Sequence, residues 1–335
     1  MKVAVYRGIN DIRIEEQEIP RIGEEELLLG VKSVGICGTD IKTYKRGHPF
    51  FKPPCVLGHE VSGVVVEAGN KVQGTFIGKK VVVAPYINCG KCDICRRGLG
   101  ELCKNKGWID GAFAEYIRIP GTIVDRNGIY EIPEEISFDV ATLTEPLACA
   151  INGIQKADVK KKDRVLVVGA GPMGLLLAIY ARSLGSEVAL SEINVKRQAF
   201  ASRLGYNVID PNKESLDDMV KNDRKFNTVI LANDKHELVG KLLPLVESGG
   251  KLELFGGMRK GVKLEVDPYH IHYREVSLIG NTGFSAEHFE KAFEFLKENA
   301  VYLAKLITAS FPLKDILRGF DAAQREENIK VVIEV

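Results

Sequence analysis

The sequence lacks an excess of charge of either sign. Its 335 residues carry 46 Lys and Arg against 45 Asp and Glu, and no long run of one sign disturbs that balance. Proteins that bind nucleic acid or an anionic membrane surface usually show a basic patch or a clear positive charge. We therefore expect neither a nucleic-acid partner nor a membrane partner.

A long uninterrupted apolar run is also missing. The most apolar segment, residues 165–181, contains glycines and a proline, which favours a buried strand followed by a buried helix over a membrane span. The first residues, MKVAVYRGINDIRI, alternate like a strand and show no export signal. We expect a cytoplasmic protein. We also expect two globular domains, since the chain is longer than a single hydrophobic core usually supports.

Four of the seven cysteines stand close together. Without an export signal, thiolate ligands or core residues explain cysteines better than disulfides do. The spacing C-x2-C-x2-C-x7-C lets a tight loop turn its sulfurs toward one tetrahedral ion, whereas a bacterial iron–sulfur motif has a three-residue last gap followed by proline. The pattern predicts a structural zinc ion, with no open coordination position, on Cys89, Cys92, Cys95 and Cys103.

From residue 164, apolar runs of strand length alternate with amphipathic stretches of helix length. Six such runs predict a doubly wound parallel sheet. At the first strand-to-helix turn, VLVVGAGPMG contains G-x-G-x-x-G, the pattern that brings a dinucleotide pyrophosphate to a helix N-terminus. The predicted cofactor contacts are Gly169, Gly171, Pro172, Met173, Gly174, Glu192 and Arg197.

Glu192 bears on the choice of cofactor. It ends the second predicted strand, where a carboxylate accepts hydrogen bonds from the adenosine ribose and repels a 2′-phosphate. This favours NAD over NADP. Arg197 leaves an alternative open, because it is either a solvated helix residue or a contact for a 2′-phosphate.

A second set of metal-binding residue types occurs in the first domain. Cys37 lies in GICGTD, and His59 and Glu60 lie in LGHE. Three such donors suit a catalytic zinc that keeps one position for water or substrate. Thr39 supplies a hydroxyl for a proton relay, and Asp40 a carboxylate that would orient the histidine.

Five segments, in this order, resemble the zinc-dependent medium-chain dehydrogenases: GICGTD, VLGHEVSG, the four-cysteine loop, TEPLACA and VLVVGAGPMG. The resemblance implies an α/β plus β protein, in which a GroES-like catalytic domain (1–148 and 286–335) surrounds an inserted Rossmann domain (149–285). TEPLACA is closer to the polyol (sorbitol/iditol) and L-threonine dehydrogenase branch. By this resemblance Cys37, His59 and Glu60 are zinc ligands, and Glu145 either ligates the zinc or holds its water.

The function that follows is NAD-dependent oxidation of a secondary alcohol, with a polyol or sugar alcohol as the favoured small-molecule substrate and two zinc ions per chain. L-threonine and simple secondary alcohols are the alternatives, and a non-enzymatic NAD- and zinc-binding regulator is the alternative from another class. The family also implies a homo-oligomer, either a tetramer or a dimer. The sequence departs from many members at Lys42, where they carry a relay histidine, so His48 is a candidate substitute and the outer proton path stays open.

Overall fold

The computed structural model describes residues 1–72 and 74–335. The strands are β1 (Lys2–Gly8), β2 (Asp11–Glu16), β3 (Leu27–Gly35), β4 (Cys55–Val56), β5 (Glu60–Ala68), β6 (Lys80–Val83), β7 (Tyr86–Ile87), β8 (Gly107–Trp108), β9 (Tyr116–Ile119), β10 (Ile129–Glu131), β11 (Arg164–Val168), β12 (Glu187–Ser191), β13 (Asn207–Ile209), β14 (Phe226–Leu231), β15 (Val246–Leu254), β16 (Ser277–Gly280), β17 (Ile307–Pro312) and β18 (Lys330–Glu334).

The helices are α1 (Gly38–Arg46), α2 (Asp93–Arg96), α3 (Gly121–Val124), α4 (Phe138–Ala141), α5 (Thr144–Lys156), α6 (Pro172–Ser183), α7 (Val195–Arg203), α8 (Leu216–Lys221), α9 (Val239–Leu242), α10 (Pro268–His272), α11 (Ala286–Leu303) and α12 (Ile316–Ala323). Among the described residues, none of these helices has both the length and the apolar character needed to cross a lipid bilayer.

The chain divides into two compact units. Unit 1 comprises Met1–Ala148 and Phe284–Val335, and unit 2 comprises Cys149–Gly283. The first boundary falls inside α5, and the second lies just before α11.

Unit 1 is built on a seven-stranded sheet in the order β10-β6-β5-β3-β18-β17, with β9 also paired to β3. The end of β3 lies between two antiparallel neighbours, so Gly35 is opposite Glu60 on one side and Val332 on the other. This register brings together three segments that are far apart in sequence: the residues after β3, those before β5, and the start of β18. The predicted GroES-like β fold is confirmed, and its last strand comes from the C-terminal part of the chain.

Unit 2 contains a six-stranded sheet in the order β13-β12-β11-β14-β15-β16, and all its neighbouring strands are parallel. Parallel strands covered on both faces read as continuous apolar runs, which explains RVLVV in β11, where only the first residue is exposed. Leu166, Val229 and Leu252 are fully buried in the core beneath the sheet. The doubly wound parallel sheet expected from the sequence is confirmed, and the carboxyl ends of its strands form the edge where such folds bind ligands.

Candidate metal centres and cofactor turn

The first candidate metal centre lies where β3 and β5 run side by side in unit 1. Cys37 is the N-cap of α1, and its sulfur accepts a hydrogen bond of 3.4 Å from the Thr39 N–H. One potential ligand atom each from Cys37, His59 and Glu60 lies within 4.8 Å of the others. A thiolate, an imidazole and a carboxylate at this spacing fit a zinc ion.

Asp40 organises the backbone around these donors. Its carboxylate is fully buried and accepts hydrogen bonds from the Cys37 N–H at 2.9 Å and from the Gly58 N–H at 3.2 Å. The same carboxylate lies 3.5 Å from His59 Nδ1. Burial lowers the pKa of His59, but the charges of Asp40 and Cys37 outweigh burial and raise the pKa well above its usual value. Asp40 therefore joins the segments of Cys37 and His59 and aligns the imidazole.

A buried ion pair adjoins these donors. Lys330, the first residue of β18, is 3% exposed, and its ammonium contacts the Glu60 carboxylate. The ammonium also donates a hydrogen bond of 3.2 Å to the Ile36 carbonyl. Burial lowers the pKa of Lys330, but the negative charges of Glu60, Cys37 and Glu145 outweigh burial and raise that pKa.

Glu145 lies in the first turn of α5 and is 7% exposed. It stands outside the group of donors within 4.8 Å of one another, although its charge acts on Lys330. Its role as a ligand or as the holder of a water molecule stays a prediction. Thr39 is partly exposed beside Cys37, as a proton relay requires.

Two residues bear on the outer proton path: Lys42, which replaces the relay histidine of many family members, and His48, the candidate substitute. Lys42 is on α1 itself and half-buried. His48 follows the helix, contacts Phe50 and Phe51 with ring centroids 5.5 and 5.2 Å away, and accepts a hydrogen bond from the Phe50 N–H. Burial lowers the pKa of His48, which favours a neutral imidazole held by its aromatic neighbours.

The second candidate centre is the loop that contains the four cysteines. The sulfur atoms of Cys89 and Cys103 are 3.5 Å apart, and those of Cys92 and Cys95 are also 3.5 Å apart. The distance from Cys92 to Cys103 is 3.8 Å, and that from Cys89 to Cys95 is 3.9 Å. A tetrahedral zinc with Zn–S bonds of about 2.3 Å requires sulfurs about 3.8 Å apart. The four residues therefore fit a closed structural zinc site.

The thiols of this loop differ in their proton affinity. The N–H groups of Lys91 and Cys92 lower the pKa of Cys89 to about 6, whereas burial raises the pKa of Cys95 to about 11. The loop is attached to the start of α11 through Asn88, whose side-chain oxygen accepts a 2.8 Å hydrogen bond from the Ala286 N–H. A metal ion here would stabilise the packing of the loop against the second segment of unit 1.

The glycine-rich turn of unit 2 connects β11 to α6. Gly169 has a φ of +110°, which side chains rarely tolerate, and a Cβ on Gly174 would overlap the Gly169 carbonyl oxygen. Gly171 is the N-cap of α6 and Pro172 is the first residue of the helix. The turn therefore leaves the N–H groups at the start of the helix available for a diphosphate, as a dinucleotide site requires.

Glu192 is held by the backbone on both sides. Its two oxygens accept hydrogen bonds from the Ala170 N–H at 2.7 Å and the Asn194 N–H at 2.9 Å. The carboxylate thus sits between the glycine-rich turn and the end of β12. An arginine side chain reaches the same turn, since Arg197 Nη1 is 3.7 Å from the position of a Cβ on Gly171.

Sequence reasoning missed Lys330 and Gly35. A Cβ on Gly35 would overlap the Glu60 carboxylate and lie 2.9 Å from Lys330 Cε, so the ion pair requires glycine at this position. A lysine at the head of the apolar run KVVIEV was the available signal. Its partner could not be recognised without the pairing of β18 with β3.

Two family models match the chain. The alcohol dehydrogenase GroES-like domain matches residues 23–127, and the glucose dehydrogenase C-terminus matches residues 138–335.

Two enzymes and one solved structure are similar to this chain over nearly their full length. L-galactonate-5-dehydrogenase of Escherichia coli (strain K12) is 30% identical over 99% of this chain and 98% of its own. L-threonine 3-dehydrogenase of Colwellia psychrerythraea (strain 34H) is 29% identical over 96% of each chain. The crystal structure of a zinc-binding dehydrogenase from Sinorhizobium meliloti 1021 bound to NADP is 28% identical, with a TM-score of 0.90 over 100% of this chain and 99% of that one.

Proposed function

Because the chain belongs to the zinc-dependent medium-chain dehydrogenase family, we propose that it oxidises a secondary alcohol of a polyhydroxy compound to a ketone, with NAD as the hydride acceptor. The protein is an oxidoreductase whose cofactors are zinc and a nicotinamide dinucleotide. The observation that carries the proposal is the group of Cys37, His59 and Glu60, whose ligand atoms lie within 4.8 Å of one another.

Zinc, when bound there, acts as a Lewis acid and makes a substrate hydroxyl acidic near neutral pH. The chain supplies the rest. Cys37, His59 and Glu60 would hold the ion, and Asp40 keeps the imidazole aligned through the 3.5 Å contact to Nδ1. The Thr39 hydroxyl, partly exposed beside Cys37, would take the proton from the substrate hydroxyl and pass it outward.

NAD is the proposed cofactor because Glu192 places a buried carboxylate at the end of β12, beside the glycine-rich turn. A 2′-phosphate would meet this negative charge without a compensating group on the same strand. Arg197 is the competing feature, since its guanidinium also approaches the turn and the Sinorhizobium relative binds NADP.

A polyhydroxy substrate is proposed because neighbouring hydroxyls can bind a metal site that is rich in oxygen and charge. The Escherichia coli relative acts on L-galactonate, a polyhydroxy acid, which supports this class. L-threonine is the second candidate, supported by the Colwellia relative at nearly equal identity.

Initial rates of NAD reduction at 340 nm test the proposal across polyols, sugar acids, L-threonine and simple secondary alcohols. NADP and a chelator serve as controls. We expect a chelator-sensitive rate of NAD reduction with the polyhydroxy substrates, that is, the polyols and sugar acids. Cys37→Ser should abolish the rate while the zinc of the four-cysteine loop stays bound, whereas Cys55→Ser, which lies outside both cysteine sites, should retain it. If no substrate reacted while the protein held two zinc ions and bound NAD, the site assignments would stand and the proposed substrate class would be wrong. Absence of turnover together with absence of NAD binding would favour a non-enzymatic regulator.

We also propose a homo-oligomer, either a dimer or a tetramer, in the cytoplasm. The oligomer follows the expectation for the family, and light scattering of the purified protein would measure it. The compartment is supported by the two thiolate sites, which need reducing conditions to bind metal. Recovery of the protein in an exported fraction would contradict the location.

A further inference from the structure

Lys330 provides a second cation beside the candidate metal ligands. Its side chain is 4% exposed, so water contributes little to its solvation. The ammonium contacts Glu60 Oε2 and donates to the Ile36 carbonyl at 3.2 Å. The proposed function gives this lysine no role.

Glu60 faces both partners. Its carboxylate belongs to the donor group with Cys37 and His59, and it also forms the ion pair with Lys330. Apart from this contact with the Lys330 ammonium, neither Glu60 oxygen accepts a hydrogen bond within the described part of the chain. A metal ion and the ammonium therefore compete for the same negative charge.

The charge balance of the site is consistent with this arrangement. The Cys37 thiolate and the carboxylates of Glu60, Glu145 and Asp40, the last 3.5 Å from His59, carry more negative charge than a divalent ion neutralises. The Lys330 ammonium supplies one further positive charge, and the charges of Glu60, Cys37 and Glu145 act on it. An uncompensated charge in a buried site is costly, so the lysine makes a dense anionic donor set tolerable.

The backbone beside the Lys330–Glu60 ion pair leaves space for both side chains. Gly35 lies opposite Glu60 in the sheet, and any side chain there would overlap the carboxylate and approach Lys330 Cε to 2.9 Å. The ion pair thus occupies space that a glycine leaves open at the point where β3, β5 and β18 meet.

We propose that Lys330 is a positioning residue that competes with the catalytic metal for Glu60, and so limits how tightly the metal is held and keeps one coordination position for substrate. This inference rests on the proposed function. It predicts an unusual combination for Lys330→Met, in which the metal binds more tightly and turnover falls. A residue that only supports the fold would give weaker metal binding when it is replaced.

The test measures metal retention and kinetics separately. Zinc-loaded wild type, Lys330→Met and Lys330→Arg are dialysed against a graded series of chelator, and the zinc that remains is counted. We expect the more readily removed ion to be held about tenfold more tightly in Lys330→Met, with kcat/KM lowered about tenfold, because a unit charge is lost within a few ångströms of the metal site. Lys330→Arg keeps the charge and should stay close to the wild type.

Two further variants separate the proposed route from general effects. In a Glu60→Gln background, Lys330→Met should change metal retention much less, because the carboxylate for which the cations compete is gone. Lys314→Met is the matched control, since Lys314 is an exposed lysine of the same unit. Cobalt substituted for the labile zinc should show a changed visible spectrum in Lys330→Met, because Glu60 would then bind the metal without competition from the ammonium.

Equal or weaker metal retention in a folded Lys330→Met protein would overturn the inference, and circular dichroism establishes the folding. If that variant does not fold, Lys330→Gln is measured in the same way, because its amide still reaches toward Ile36 without a charge. A wild type that binds only one zinc would instead refute the proposed function.

Discussion

Replacing Glu253 by Gln should remove a large part of the pH dependence of stability of unit 2. Glu253 lies in β15 and is fully buried, and within the described residues neither carboxylate oxygen accepts a hydrogen bond. Burial raises its pKa from 4.5 to about 8, and the positive charge of Lys156 offsets only part of this rise. The folded protein therefore keeps a proton on Glu253 over a pH range in which the unfolded chain releases it.

The direction of this pH effect follows from the linkage between proton binding and folding. Between pH 4.5 and pH 8 the folded state binds more protons at this residue than the unfolded state, so stability falls as the pH rises through this range. From pH 6 to pH 9 the wild type should lose about 3 kcal/mol through Glu253, because each of the two pH units below its pKa costs about 1.4 kcal/mol. Glutamine has no proton to lose and avoids this decline.

Urea unfolding at pH 6 and pH 9, at constant zinc content, measures the effect. For each protein the change in unfolding free energy between the two pH values is determined. The change in the wild type minus the change in Glu253→Gln gives the contribution of Glu253, because the other titrating groups cancel. Glu187→Gln is the matched control, because Glu187 is an exposed glutamate of the same unit. If Glu253→Gln declined with pH as steeply as the wild type, the assignment of a buried protonated carboxyl would be wrong.

Three other outcomes are expected. Glu192→Ala should raise the NADP to NAD ratio of kcat/KM about tenfold, and an unchanged ratio would mean that the ribose contact lies elsewhere. Cys92→Ser should leave one zinc per chain and lower the thermal midpoint, whereas a variant that still binds two ions would contradict the four-sulfur site. Gly174→Ala should destabilise unit 2 by about 3 kcal/mol and weaken NAD binding measured by calorimetry, because its Cβ would overlap the Gly169 carbonyl oxygen; normal NAD affinity would count against the turn as the cofactor site.

Local patterns were enough to predict several features. The four cysteines lie within fifteen positions, so a single loop brings their sulfurs together, and the spacing alone indicates a common ion. The glycine-rich turn and the apolar run of β11 are equally local, because backbone freedom and burial on both faces leave direct marks in the residue order. The parallel sheet followed from the alternation of such runs with amphipathic helices.

The sequence by itself determined the fold class, and it predicted the cysteine site and the cofactor turn from residues close together along the chain. Only the tertiary structure decided the environment of Glu60 and Glu253. Lys330 and its acceptor Ile36 are 294 positions apart, and they meet because β18 pairs with β3 in one particular register. The burial of Glu253 likewise depends on the elements that cover β15, and no short stretch of sequence encodes it. Charges buried by distant strands acquire partners and proton affinities from the packing, which is why the Lys330–Glu60 ion pair and the burial of Glu253 could be found only in three dimensions.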